Sequence, residues 1–301
     1  PAFQCVSLTD DPRAIVAQLA LPYPVVLKPL TLSASCGVIR ANTSEECIAA
    51  IQRIATLLTA LGVTRTDAGR QILLERFIPG REVAVEGLLT HGRLEVLAIF
   101  DKPDPLDGPF FEETLYVTPS RLPGSDQDAI RRCAAEAAAA LGLAEGPVHA
   151  EIRVNADGPW VIEVAARAIG GRCSGTLHFA GDMSLEELIL RHALRLELPR
   201  LDRRGASGVM MIPIPRGGVL RSVTGVEAAR AVAGIETVEI TAQPGDRLVP
   251  LPEGTRYLGF IRARGADPAE VESALRAAHG RLAFDIDAAE PRAAEAATFR
   301  F

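Results

Sequence analysis

Lysine is nearly missing from this chain. Of its 32 basic residues only Lys28 and Lys102 are lysine, and the rest are arginine. The scarcity singles out two positions, because a slim ammonium and a wide guanidinium fork are not interchangeable at a tight phosphate site. Aromatic residues make up 5%, too few for base-stacking platforms. Basic runs do not extend beyond pairs such as Arg203-Arg204, and the net charge is -6. Both features argue against a nucleic-acid partner. No apolar run approaches the ~18–20 residues that span a bilayer, so no membrane partner is expected. The five cysteines, Cys5, Cys36, Cys47, Cys133 and Cys173, form no C-x-x-C pair. They read as reduced thiols rather than a disulfide framework or zinc site. Pro1 opens directly into ordinary globular sequence without a secretory signal, so a cytoplasmic location is expected. A starting methionine is also lacking, which suggests a piece of a longer protein.

What is present is the composition of a folded protein. The 301 residues are 48% apolar and 23% charged, enough for two or three domains with a sizeable core. Residues 12–21 read as a helix ended by Pro22-Tyr23-Pro24. Val25-Val26-Leu27 reads as a buried strand running into Lys28-Pro29, and Val38-Ile39-Arg40 as a second strand. Thr43-Ser44-Glu45-Glu46 is a helix start with acids in its first turn. The helix over 44–60 is predicted to bury Ile48, Ile51, Ile54, Ala55 and Leu58. Strands are predicted over 71–77, 148–154 and 160–166, and a hairpin over 82–89 and 94–101 about His91-Gly92. Helices are predicted over 129–141, 185–194 and 268–279. Residues 102–113 are turn-rich and read as too polar for core. Beyond a charged linker at 200–205, short strands are predicted over 209–213, 237–241 and 257–263. Strands and helices alternate in small groups, so the expected class is α+β with antiparallel sheets.

Three constellations carry chemistry. The first is Lys28 followed by a small-residue loop with Ser33, Ser35 and Gly37. Its amides and hydroxyls suit an anion. It is not a Walker A motif, since no G-K-[ST] is present after it, and taken alone the signal is weak, because most Ser/Gly loops are plain hairpin turns. The second is Glu75-Arg76-Phe77-Ile78-Pro79-Gly80-Arg81-Glu82. Its two glutamates flank a Pro-Gly turn and either line one pocket or decorate a surface hairpin. The third places Glu151 and Glu163 within apolar strands, where unpaired carboxylates are costly. Such pairs hold Mg²⁺, a hard cation that bridges to phosphates. A two- or four-residue turn between these strands would put Glu163 on the wrong face. A three-residue loop, Ala156-Asp157-Gly158 with a left-handed Gly158 in a bulge, pairs Asn155 with Pro159 and Glu151 with Glu163. The carboxylates would then stand ~5 Å apart at Cβ, with a cation between them. Arg167 shares the strand parity of Glu163. The alternative leaves one glutamate on a solvent face.

In this order the three constellations resemble the ATP-grasp superfamily, and within it the carboxylate–amine ligases, particularly the L-amino-acid (dipeptide) ligases. The matching stretches are VVLKPLTLSASCGVIR, LLERFIPGREVAVEG, FDKPDPLDGPFFEETLYVTPS, GPVHAEIRVN and VIEVAARAIGGR, and the tail segments VMMIPIPRGGVL, GIETVEI and PLPEGTRYLGFIRARG. The resemblance implies an ATP-grasp fold: a lid over 1–74, a main subdomain over 75–199 and a small C-terminal α+β domain over 206–301. It implies ATP with Mg²⁺ (or Mn²⁺) and small carboxylate and amine substrates, joined through an acyl-phosphate. By the same resemblance Lys28 contacts the nucleotide, Ser33, Ser35 and Gly37 cover the phosphates, Glu75 and Ile78 meet the adenine edge, and Glu82 accepts from the ribose. Glu151 and Glu163 hold the metal, and Arg167 stabilises the transferring phosphoryl group. Glu113 lies where such ligases put an acid near the substrate amine, with Tyr116, Gly170 and Gly171 shaping that pocket. Lys102 receives no firm role: a phosphate or acyl contact and an exposed loop lysine are both open. Related ligases often dimerise, which leaves a homodimer open. Ala165 stands where many ATP-grasp enzymes carry Asn, but the amino-acid ligases share the E-x-A-A-R pattern. These ligases also carry an N-terminal domain and a further lysine ahead of the segment seen here. The alternatives are a ligase like glycinamide-ribonucleotide synthetase or biotin carboxylase, or an ATP-binding fragment inactive without its N-terminal domain.

Overall fold

In this computed structural model the described residues are 1–198, 201 and 205–288. The pair Arg203-Arg204, most of the 200–205 linker and the end of the expected C-terminal domain therefore lie outside them.

The elements run β1 (Phe3–Ser7), α1 (Pro12–Ala17), β2 (Val25–Pro29), β3 (Ile39–Ala41), α2 (Ser44–Ala60) and β4 (Gln71–Arg76). Next come β5 (Arg81–Thr90), β6 (Arg93–Asp101), β7 (Leu115–Thr118), α3 (Gly124–Ala140), β8 (Gly146–Asn155) and β9 (Gly158–Ala165). The short β10 (His178–Phe179) and β11 (Met183–Ser184) precede α4 (Leu185–Ala193). The last third holds β12 (Ala206–Ile212), β13 (Gly218–Thr224), α5 (Val226–Arg230), β14 (Ile235–Ile240), β15 (Arg247–Leu248), β16 (Gly259–Gly265), α6 (Pro268–His279) and β17 (Ala283–Asp287).

Two sheets position the site, and their pairings are antiparallel, as the patterning predicts. A four-stranded sheet ordered β1-β4-β2-β3 carries α2. An eight-stranded sheet runs β14-β16-β12-β7-β6-β5-β8-β9. Strands from the last third thus continue the sheet built by residues 81–165, through the pairing of β7 with β12. One face of this sheet packs Val83, Val85, Ile99, Ala150 and Ile152 against Ile130 and Ala134 of α3. The opposite face of β5 and β8 carries Glu82, Ala84, Glu86, His149, Glu151 and Arg153. The alternation comes from the period-2 pleat. A three-stranded sheet β15-β13-β17 completes the fold.

Local chemistry explains several element ends. Thr43 caps α2 by accepting from the Glu46 amide at 3.2 Å, while Glu46 reaches back to the Asn42 amide at 2.7 Å, a variant of the reciprocal capping pattern. The buried stripe of α2 runs through Cys47, Ala50, Ile51, Ile54, Leu57 and Leu58. Ile48 and Ala55, expected inside, are only half-buried. Helix α1 stops at Ala17 rather than residue 21. A proline acts back one turn on the carbonyl four residues earlier, so Pro22 and Pro24 remove the last turn and bar any continuation. Helix α3 begins at Gly124, five residues before the expected start, because its first turn, Gly124-Ser125-Asp126-Gln127, is polar and carries no apolar period.

Candidate active site

One cleft lies between the two sheets. Its lining includes Lys28, Ser33, Ser35, Glu75, Ile78, Glu82, Glu113, Glu151 and Glu163, nine of the residues singled out in the sequence. On the side of the four-stranded sheet, Lys28 is the next-to-last residue of β2 and its Nζ lies 2.5 Å from Glu75 Oε2 on β4. The loop above is wound by three left-handed residues, Ala34 (φ 54°), Ser35 (φ 56°) and Gly37 (φ 72°). Such turns fan backbone amides and form anion-binding concavities. Gly37 itself does not line the cleft. Its amide donates to Pro252 O at 2.7 Å, and a Cβ there would lie 2.7 Å from Pro29 Cγ. Glycine is required at this position by backbone conformation and close approach.

The floor is built by neighbouring strands. Lys102 sits just past the end of β6 and is buried, with Nζ 2.7 Å from Glu82 Oε1, 3.0 Å from Glu151 Oε1, and bonded also to Glu113. Its ammonium also sits 5.0 Å from the ring centroid of Tyr116. Of the two readings left open for Lys102, burial excludes the exposed loop lysine, and it corrects the reading of 102–113 as too polar for core. Leu106, in the same segment, is buried too. Arg153, which the sequence pattern did not single out, donates to Glu82 Oε2 at 2.7 Å and to Ile78 O at 2.8 Å, and bonds Leu106 O. It shares a face with Glu151, two residues away on the same strand.

Glu151 and Glu163 are cross-strand partners, as expected, but by another route. Asn155 pairs with Gly158, not Pro159, so the turn holds two residues. Ile152 then pairs with Val161, and Ile162 is an extra residue that restores Glu163 opposite Glu151. The bulge belongs at Ile162 rather than in the loop. Gly158 does have a positive φ of 107°. Arg167 lies beyond the end of β9, exposed, with NH2 4.0 Å from Glu163 Oε1 and NH1 donating to Ala168 O at 2.9 Å. Tyr116 is buried beneath Lys102. Gly170 is exposed, and a Cβ on Gly171 would meet Met211 Sδ at 2.5 Å. Arg167, Tyr116, Gly170 and Gly171 are outside the cleft lining.

The electrostatics result from crowding acids in a buried place. Burial, together with Glu151, pushes the Glu113 carboxyl up to about 7 against the pull of Lys102. Burial acts on Glu151 as well, yet Lys102 and His149 hold it well below the usual carboxylate range. The two acids share the Lys102 ammonium and titrate as a coupled pair. Burial disfavours the Lys102 ammonium, but Glu113, Glu151 and Glu82 keep it charged. Carboxylate oxygens of Glu82, Glu113 and Glu151 all lie within 4.8 Å of one another. With Glu163 beside them the donor set is all hard oxygen, the chemistry that Mg²⁺ or Mn²⁺ requires.

Behind this cluster lies a second buried pair that sequence reasoning missed. Glu86 on β5 is fully buried and faces His149 on β8. Burial raises the Glu86 carboxyl to about 8. The available signal was a glutamate in the apolar run Val83–Leu89.

An ATP-grasp domain model matches residues 21–176, more than half of the chain. The chain belongs to the ATP-grasp family. A second model, L-amino acid ligase C-terminal domain 2, matches residues 210–287 of this ATP-grasp chain. The structure of an L-amino acid ligase from Bacillus licheniformis superimposes with a TM-score of 0.82 at 29% identity, covering 95% of this chain and 69% of that one. Carnosine synthase 1 of Gallus gallus is 30% identical over 70% of this chain and 23% of its own length. Alanine–anticapsin ligase of Bacillus subtilis is 26% identical over 62% of this chain and 41% of its own. The chain thus spans less than half the length of either curated relative.

Proposed function

We propose that this chain is the nucleotide- and metal-binding part of an ATP-dependent carboxylate–amine ligase acting on amino-acid substrates. The observation that carries the reading is the convergence of Lys28, the Ser33–Ser35 loop and the Glu151–Glu163 pair on one cleft. Similarity to the amino-acid ligases, including the C-terminal match, favours amino acids as substrates. In this reading residues 1–74 are the lid, 75–199 the platform, and the segment from 206 the C-terminal domain.

The reaction has two steps. A carboxylate oxygen attacks the γ-phosphorus of ATP, the bond to the β-γ bridging oxygen breaks, and ADP leaves an acyl-phosphate behind. An amine nitrogen then attacks the acyl carbon, phosphate departs, and the amine gives up a proton. Little of this is covalent work for the protein, so positioning and charge neutralisation dominate. Glu151 and Glu163 would hold Mg²⁺, which when bound neutralises charge on the phosphate oxygens. Lys28 would meet the nucleotide, and the amides and hydroxyls at Ser33 and Ser35 would cover its phosphates. Ile78 and Glu75 would border the adenine, with Glu82 toward the ribose. Glu82 already accepts from Lys102 and Arg153, so it would offer a ribose hydroxyl only its remaining lone pairs. Glu113 would receive the substrate amine, and Arg167 would swing from its exposed position toward the transferring phosphoryl. Closure of the loop would keep water from the acyl-phosphate.

The test is an ADP-release screen of the full-length protein with pairs of proteinogenic amino acids. Glu163→Gln is expected to lower turnover about 100-fold, the effect of losing about 2.7 kcal/mol of charge stabilisation. Glu163 is exposed, so the melting temperature should barely move. Full turnover by the variant would remove Glu163 from the metal site.

A further inference from the structure

Glu86 is an unusual residue to find where it sits. It is 0% exposed, on a sheet face it shares with Ala84 and Leu88. Its Oε2 accepts the Ile169 amide at 2.9 Å, while Oε1 has no hydrogen-bond partner. Directly across the ladder stands His149, 4% exposed, whose Nδ1 is also unpartnered and lies 3.9 Å from Glu86 Oε2. The other ring nitrogen, Nε2, is 3.6 Å from Glu151 Oε1. A buried polar atom left unpaired costs about 1–3 kcal/mol. Neither unpaired atom, Glu86 Oε1 nor His149 Nδ1, contributes to holding the fold, and the one hydrogen bond Glu86 makes is to the Ile169 amide. Half-satisfied buried polar groups of this kind call for a functional explanation.

The geometry supplies one. Ile169 lies in the loop after β9, two residues from Arg167 and one from Gly170. Glu86 therefore grips the backbone of the segment that carries Arg167. His149 touches Glu151 on its own strand. We propose that Glu86 and His149 are a positioning pair that ties the Arg167–Gly171 loop and the Glu151 carboxylate to one point at the centre of the sheet. Phosphoryl and metal ligands that arrive on separate segments are thereby held in one register. Neither residue touches substrate. The inference rests on the ligase reading above, because the alignment it explains matters only if Glu151 and Arg167 act on the same phosphate.

The test compares Glu86→Leu, Glu86→Gln, His149→Leu and the double variant Glu86→Leu/His149→Leu in the full-length protein. Three readouts are taken: melting temperature, amide exchange at Ile169 without nucleotide or metal, and kcat with KM for ATP from ADP release. Glu86→Leu removes the unpaired Oε1 but also takes the acceptor from the buried Ile169 amide, so the two effects oppose and the melting temperature should move by only a few degrees. Exchange at Ile169 should quicken at least tenfold. Turnover should fall 10- to 100-fold, the usual effect of losing a residue that orients a metal ligand, with KM for ATP changed less than about threefold. Glutamine keeps an oxygen acceptor and should restore both exchange and turnover to within about threefold. The double variant should be no worse than the poorer single one, because coupled residues fail to add. Turnover by Glu86→Leu or His149→Leu within twofold of wild type, no rescue by glutamine, or full additivity would each overturn the proposal. If Glu86→Leu does not fold, the His149→Leu result decides alone. A wild type that releases no ADP with any amino-acid pair would overturn the ligase reading instead, while Ile169 exchange would still report whether Glu86 holds the loop.

Discussion

At the scale of the residue, the two lysines have taken on separate work. Lys28 stands at the open side of the cleft, paired with Glu75. Lys102 is buried and balances three carboxylates. Bringing those charges together is worthwhile only while all partners remain, and breaking a buried pair typically costs about 3–5 kcal/mol. Lys102→Met should lower stability by about that much near neutral pH, as read by urea denaturation. The sign of the pH dependence is definite. Glu113 already binds its proton more tightly in the folded chain than in the unfolded one, up to about 7. Removing Lys102, which opposes that rise, lifts it further. A folded state that retains a proton the unfolded state has released loses stability as pH climbs. The deficit of Lys102→Met should therefore widen from pH 5 to pH 8. A deficit that stayed constant across that window would show that Glu113 does not respond to the ammonium.

At the scale of the element, the loop over 30–37 is fastened from a distance. Gly37 donates to Pro252 O, Cys36 Sγ to Glu253 O at 3.6 Å, and Arg53 forms a two-point pair with Glu253 at 2.5 and 3.0 Å. Exposed ion pairs are worth ~0–1 kcal/mol, so Glu253→Ala should shift the melting temperature little. It should nevertheless speed proteolytic cleavage within residues 30–37 severalfold, with ATP and Mg²⁺ restoring protection. Unchanged cleavage would mean the backbone bond at Gly37 suffices. The elements also show where sequence is legible. The strand ending at Lys28, the span of α2 and the whole of α6 could be read because caps and periodicity are local. The pairing of Glu151 with Glu163 could be read too, but not its cause, since an extra residue at Ile162 leaves no mark in composition. Lys102 was illegible for a similar reason. Its neighbours, Pro103-Asp104-Pro105, look like any surface turn, and the acids that bury it come from β5, β8 and the segment before β7. Glu86 and His149 escaped because a partner across the ladder cannot be seen along it.

At the scale of the molecule, the eight-stranded sheet makes the last third part of the platform. Leu115 and Val117 of β7 pack with Met210, Ile261 and Leu275 in a core shared with β12, β16 and α6. Ending the protein at residue 198 would strip β7 of its longer pairing, with β12, and bare that core. An exposed edge strand with an apolar face is an aggregation site. Such a truncation is expected to elute as aggregate in size-exclusion chromatography, not as a soluble ATP-binding unit. A monodisperse 1–198 species would show that the sheet tolerates being cut at β7.

The fastening of the 30–37 loop has a consequence for how the protein is made. Cys36 and Glu253 are 217 residues apart in sequence, and synthesis proceeds at roughly 5–20 residues per second with early segments folding first. For about ten seconds or more the loop over 30–37 exists without the segment that fastens it. A nascent chain has this cleft half-built and open, and the order of translation delays its completion until the later strands have emerged.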